Sequence, residues 1–164
     1  LKGGIFVAEE VKKEFTPPER EKDIKQIGII QHLSKVADKL AELYHRQDLP
    51  EKNVIFSQYR TMLAEDMAMI KKQKKTYKDE TLPEAVAKIT QPIDENMVRI
   101  MDQCITAIKC YFKFIDAEEK DLTLLEEAQE LLKDTSILLD ETEDMLKVVM
   151  ESIEMAGGTI IGEA

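Results

Sequence analysis

At 164 residues, with 43% apolar side chains and a formal net charge of −10, the chain can bury one hydrophobic core but not two independent ones. Tryptophan is absent, glycine and proline are scarce, and the apolar positions fall to Leu, Ile, Met, Val and Ala, a palette that favours helices and argues against strands. Charge is uneven, with 16 basic and 14 acidic side chains in residues 1–82 against 7 and 19 in residues 83–164. A field of that sign repels phosphate backbones, so no nucleic-acid partner is expected unless the lysines from Lys71 to Lys78 form a patch of their own.

Residues 1–16 read as an N-terminal segment in which Ile5, Ala8, Val11 and Phe15 have the spacing of a short helix. Four helix-start signals follow, each a Ser/Thr/Asp with Glu three positions later: Thr16 to Glu19, Asp48 to Glu51, Thr81 to Glu84 and Asp116 to Glu119. Such a pair satisfies backbone N–H groups that a helix start leaves without partners. In the first three a proline sits within the first turn, where its missing N–H costs nothing.

The first long helix is expected from Pro17 to His45, with Ile27, Ile30, Leu33, Ala37, Leu40 and Tyr44 along one stripe. The second is expected from Pro50 to Tyr77, with Phe56, Tyr59, Leu63, Ile70 and Tyr77 in line and Met62, Met67 and Met69 beside them. It ends in Lys71, Lys72, Lys74, Lys75 and Lys78, which complement the negative end of the helix dipole. The third runs from Pro83 to Ile115 on a wide stripe through Ile93, Met97, Ile100, Cys104, Ile108, Tyr111 and Ile115, with Pro92 expected to kink or interrupt it. The fourth, from Ala117 to Ala156, repeats Leu125, Leu132, Leu139, Leu146 and Ile153 at every seventh position, with the smaller Ala128, Thr135, Thr142 and Val149 between. That heptad seam, widened by Leu124, Leu131, Leu138 and Met145, marks a central packing element. Gly157 and Gly158 end it, and residues 157–164 read as a flexible tail.

Short connections between long helices make an all-α, up-down-up-down four-helix bundle over residues 17–156 the expected fold. Its rods would be roughly 40–55 Å long. Cys104 and Cys110 lie on one helix, separated by roughly 9 Å of rise, so they cannot easily bridge one another. Two free thiols favour a reducing compartment, and a cytoplasmic location is expected. No apolar run suffices to span a bilayer, so no membrane insertion is expected. The chain opens on Leu1 rather than Met, the pattern of a processed chain or of a piece of a longer protein.

Candidate chemistry is sparse. Glu42 and His45 form one Glu-x-x-His pair, but a di-iron bundle needs two such pairs, and His32 and His45 both fall off the apolar seam, facing solvent. No metal or other cofactor is expected. Asp66 stands on the apolar line of the second helix, between Met62 and Leu63 on one side and Met69 and Ile70 on the other. A carboxylate there is costly unless it reaches water or a partner, and the tyrosines Tyr44, Tyr59 and Tyr111 supply hydroxyls for it. These four residues are the weak candidates for a ligand site, and a single buried bond that sets helix register is the simpler account. Acidic clusters on the fourth helix, Glu126, Glu127 and Glu130, then Asp140, Glu141, Glu143 and Asp144, have the phase of a solvated face. The eight methionines fit core gaps more readily than a binding groove. No phosphate loop, nucleophile elbow or paired catalytic residues occur, so catalysis has no visible residues to carry it.

The expectation is a non-enzymatic helical-bundle module that acts by binding another protein or by self-association. The alternative is a sensor or regulatory bundle, part of a longer signalling protein, that holds a small ligand near Asp66.

Overall fold

A computed structural model describes residues 28–79 and 83–155. They form four helices, α1 (Gly28–His45), α2 (Lys52–Asp79), α3 (Glu84–Asp116) and α4 (Thr123–Met155), with no strand among them. The expected segment from Ile5 to Phe15, the helix start at Pro17, Thr81 and the tail after residue 156 lie outside the described residues.

Cross-links between consecutive helices run antiparallel. His32 and Tyr44 of α1 meet Asp66 and Lys52 of α2. Arg60 and Lys74 of α2 meet Asp116 and Asp102 of α3, and Asn96 and Gln103 of α3 meet Met145 and Thr135 of α4. The broadest packing is between α3 and α4, then between α2 and α3. Helix α4 packs broadly on α3 and also on α1, as the central element expected of it, and α3, which touches all three other helices, shares that place. The buried side chains of α3 show why: Met97, Ile100, Met101, Cys104, Ile105, Ile108, Tyr111 and Phe114 occupy about half its circumference, wider than the one stripe a peripheral helix needs.

The heptad seam of α4 is real over its first half. Leu125, Leu132 and Leu139 are buried, and the small residues between them, Ala128, Thr135 and Thr142, are buried too. It opens at Leu146, which is 44% exposed. With 18 residues α1 spans roughly 27 Å, while the 33 residues of α3 and of α4 span roughly 50 Å. Gln129 of α4 binds the Ser34 carbonyl and the Asp38 carboxylate, so α1 lies beside the first half of α4 and its described part stops short of Leu146.

Two start signals work differently from expectation. Asp116 is the last residue of α3 and is held by Arg60 at 2.7 and 3.0 Å. Helix α4 starts six residues beyond Ala117, at Thr123, where Asp121 accepts hydrogen bonds from the Thr123 backbone N–H at 3.0 Å and from its hydroxyl at 2.6 Å. Lys120, in the connection, donates to the carbonyls of Phe114, Ile115 and Ala117, which the end of α3 would leave without partners. Asp48 is bound by Arg46, while Lys52 donates to the Tyr44 carbonyl at the end of α1. Helix α3 continues through Pro92 without interruption.

Two outcomes follow. Leu132 is 1% exposed, so Leu132→Ala should lower the unfolding free energy by about 3 kcal/mol, whereas Leu146→Ala should cost under about 1 kcal/mol; urea titration reads both. The carboxyls of Asp116 and Asp121 are held below their ordinary value, chiefly by hydrogen bonds from Arg60 and Thr123. A carboxyl depressed in the folded state contributes stability above its unfolded value of 3.8 and loses it as pH falls through the folded value. The melting temperature should therefore drop below about pH 4, and Asp121→Asn should flatten that drop.

Candidate functional site

Asp66 is fully buried, and His32 is a partner of its carboxyl. Their side chains are 0% and 1% exposed, with His32 Nε2 at 3.0 Å from Asp66 Oδ2. The expectation that His32 faces solvent is thus corrected. Helix α1 buries a second line, Ile29, His32, Val36 and Leu43, beside Leu33, Ala37 and Leu40, because it packs against three helices and not one. His45 is exposed, as is Glu42.

Tyr111 is buried, and its hydroxyl donates to the Leu33 carbonyl at 2.5 Å; burial pushes its ionisation far above the ordinary range. Tyr44 is half-buried at the end of α1, edge-on to Phe114 at 6.1 Å, with the Lys52 ammonium 5.8 Å above its ring. Tyr59 is buried and backs a small groove with Lys39, Leu43 and Arg46. Burial also pushes the Cys104 thiol up to about 12, which keeps it protonated and unreactive at neutral pH; both cysteines are free. Among the described residues no three His, Cys, Asp or Glu side chains converge on a point where a metal ion would sit, and no helix is long and apolar enough to cross a membrane.

Two surface features remain. One is an apolar groove of about 420 Å³ between the first half of α3 and the second half of α4, floored by Ile89, Pro92, Ile93, Met145, Val148 and Val149, with Glu141 and Asp144 on its α4 side. Val148 is 61% exposed and Ile89 45%. Val148 lies nine residues beyond Leu139, half a turn round the helix from the buried seam, so this face points away from the core. Ile137, 52% exposed, lies eleven residues before Val148 and so continues the same outward line. That Val148 meets Ile89 and Pro92 across two helices is not legible in the sequence. The other feature is a groove between α2 and α3 lined by lysines.

The chain matches no protein-family model, no curated protein and no solved structure.

Removing one partner of a buried pair strands the other, so Asp66→Ala should destabilise the protein by about 3–5 kcal/mol. Replacing both, His32→Leu with Asp66→Leu, should recover most of that loss. Urea denaturation of the two variants checks the pair; a double variant that loses clearly more than Asp66→Ala would show that His32 and Asp66 act independently.

Proposed function

We infer that this chain is a non-enzymatic helical module that docks an amphipathic, basic helix of another protein in the α3–α4 groove. The observation that carries the reading is the outward-facing Val148 beside Ile89 and Pro92, with Val148 61% and Ile89 45% exposed, and Ile137, 52% exposed, further along the same side of α4. Burying one such side chain is worth about 1.5–3 kcal/mol, so a helix presenting residues at three- and four-residue spacing would gain several such terms from this groove.

Charge selects the partner. Glu141 and Asp144 line the groove, Asp140 and Glu143 are exposed nearby, and residues 83–164 carry a formal charge of −12. Lysine or arginine flanking the partner's apolar stripe would be attracted, and carboxylates repelled. The same repulsion opposes two α3–α4 faces of this acidic surface meeting each other, which favours a different protein over symmetric self-association.

A synthetic helix of about three heptads with a leucine stripe and lysine flanks, labelled for fluorescence anisotropy, tests the reading. It should bind saturably, and the double variant Ile89→Asp, Val148→Asp should weaken binding by about tenfold or more. A peptide with the same leucines and glutamate flanks should not bind. Equal binding of both peptides, or indifference to the double variant, would overturn the reading. A dimer in native mass spectrometry that dissociates in the double variant would replace the foreign helix with a second copy.

A further inference from the structure

The lysine groove is carried by different residues. It holds about 410 Å³ between α2 and α3 and is lined by Lys71, Lys74, Lys75, Lys78 and Lys109, with Asp102 as its one carboxylate. Lys74 spends its charge on Asp102 at 2.5 Å. Favourable pairing of lysines with a helix dipole falls off within the last turn, and the last turn of α2 holds only Lys78. Lys71 stands two turns inside α2, and Lys109 comes from a different helix, seven residues before its end. Helix-end electrostatics therefore does not explain why three further ammonium groups, those of Lys71, Lys75 and Lys109, share this concavity in a chain of net charge −10.

We propose that this groove binds a compact ligand bearing clustered phosphate groups, either a free polyphosphorylated small molecule or the phosphorylated headgroup of a lipid. Flexible point-charge ammonium groups from two helices suit several phosphate oxygens at once. Size decides between a compact ligand and a long one. At physiological salt a charge is screened within about 8 Å, so a ligand that fits the groove feels mainly its lysines. An extended nucleic acid would also meet the acidic surface of residues 83–164 and be repelled. Ile93 and Asp102 lie nine residues apart on α3, half a turn round the helix, so the lysine groove and the apolar groove open on opposite sides, and this proposal does not rest on the docking of a partner helix.

Calorimetry on the full chain with inositol hexakisphosphate tests it. Binding should be saturable and should weaken steeply with added salt. The triple variant Lys71→Gln, Lys75→Gln, Lys109→Gln, all three residues exposed, should lose about tenfold or more in affinity. The variant Lys133→Gln, Lys147→Gln, which removes two exposed lysines of α4, should bind as the parent does. Flotation with vesicles distinguishes the sources: capture by phosphatidylinositol bisphosphate but not by phosphatidylserine assigns a lipid headgroup, and no capture by either assigns a free ligand. Absence of binding at low salt, equal loss in both lysine variants, capture by phosphatidylserine as strong as by the bisphosphate lipid, or tighter binding to duplex DNA would each overturn the proposal.

Discussion

A carboxylate taken wholly out of water must be met by a partner, and in this protein that requirement falls on Asp66 in the middle of α2. His32 meets it from α1, and the consequence reaches beyond one hydrogen bond. Helices α1 and α2 come close at few positions, so this polar link helps to set how far α1 is slid along α2. The Tyr111 hydroxyl on the Leu33 carbonyl and Gln129 on Ser34 and Asp38 set the same helix against α3 and α4. Three polar contacts from three directions fix one axial position, at which Leu33, Val36 and Leu40 close completely over the core.

That position also determines where the surface becomes interesting. With α1 placed beside the first half of α4, the tightest interior lies between Leu125 and Thr142, and the later turns of α4 carry Leu146 and Val148 partly in water. Leu146 keeps the phase of the buried seam, so phase is not the cause of its exposure. For Val148 it is helix phase, since no neighbour placed on the core side would reach it. The two exposures look alike in a hydropathy profile and differ in what removes them.

Long-period features were legible in the sequence because they depend on one helix at a time. The seam of Leu125, Leu132 and Leu139 and the stripe through Ile100, Cys104, Ile108 and Tyr111 follow from a fixed 100° step per residue, and both are buried. Asp66 was legible as a misplaced charge, but its partner was not, because His32 is thirty-four residues away and its burial depends on α1 having three neighbours. Local signals failed where side chains had a better use. The Asp116 signal misplaced the start of α4 because Arg60, fifty-six residues earlier, binds that carboxylate, leaving Asp121 to cap the helix.

The lysines of α2 illustrate the same limit with a different result. In sequence they are a basic run at a helix end, and the dipole accounts for such a run without invoking a ligand. The antiparallel pairing of α2 with α3 adds Lys109 and Asp102 to it, and the question changes from why one helix ends in lysines to why two helices concentrate them in a hollow. Mutual repulsion among ammonium groups works against folding, weakly at exposed positions and in salt. Asp102 is the carboxylate that lines this hollow, Asp94 and Glu95 of α3 share a neighbouring groove with Lys78, and a bound anion would complete the neutralisation of Lys71, Lys75 and Lys109.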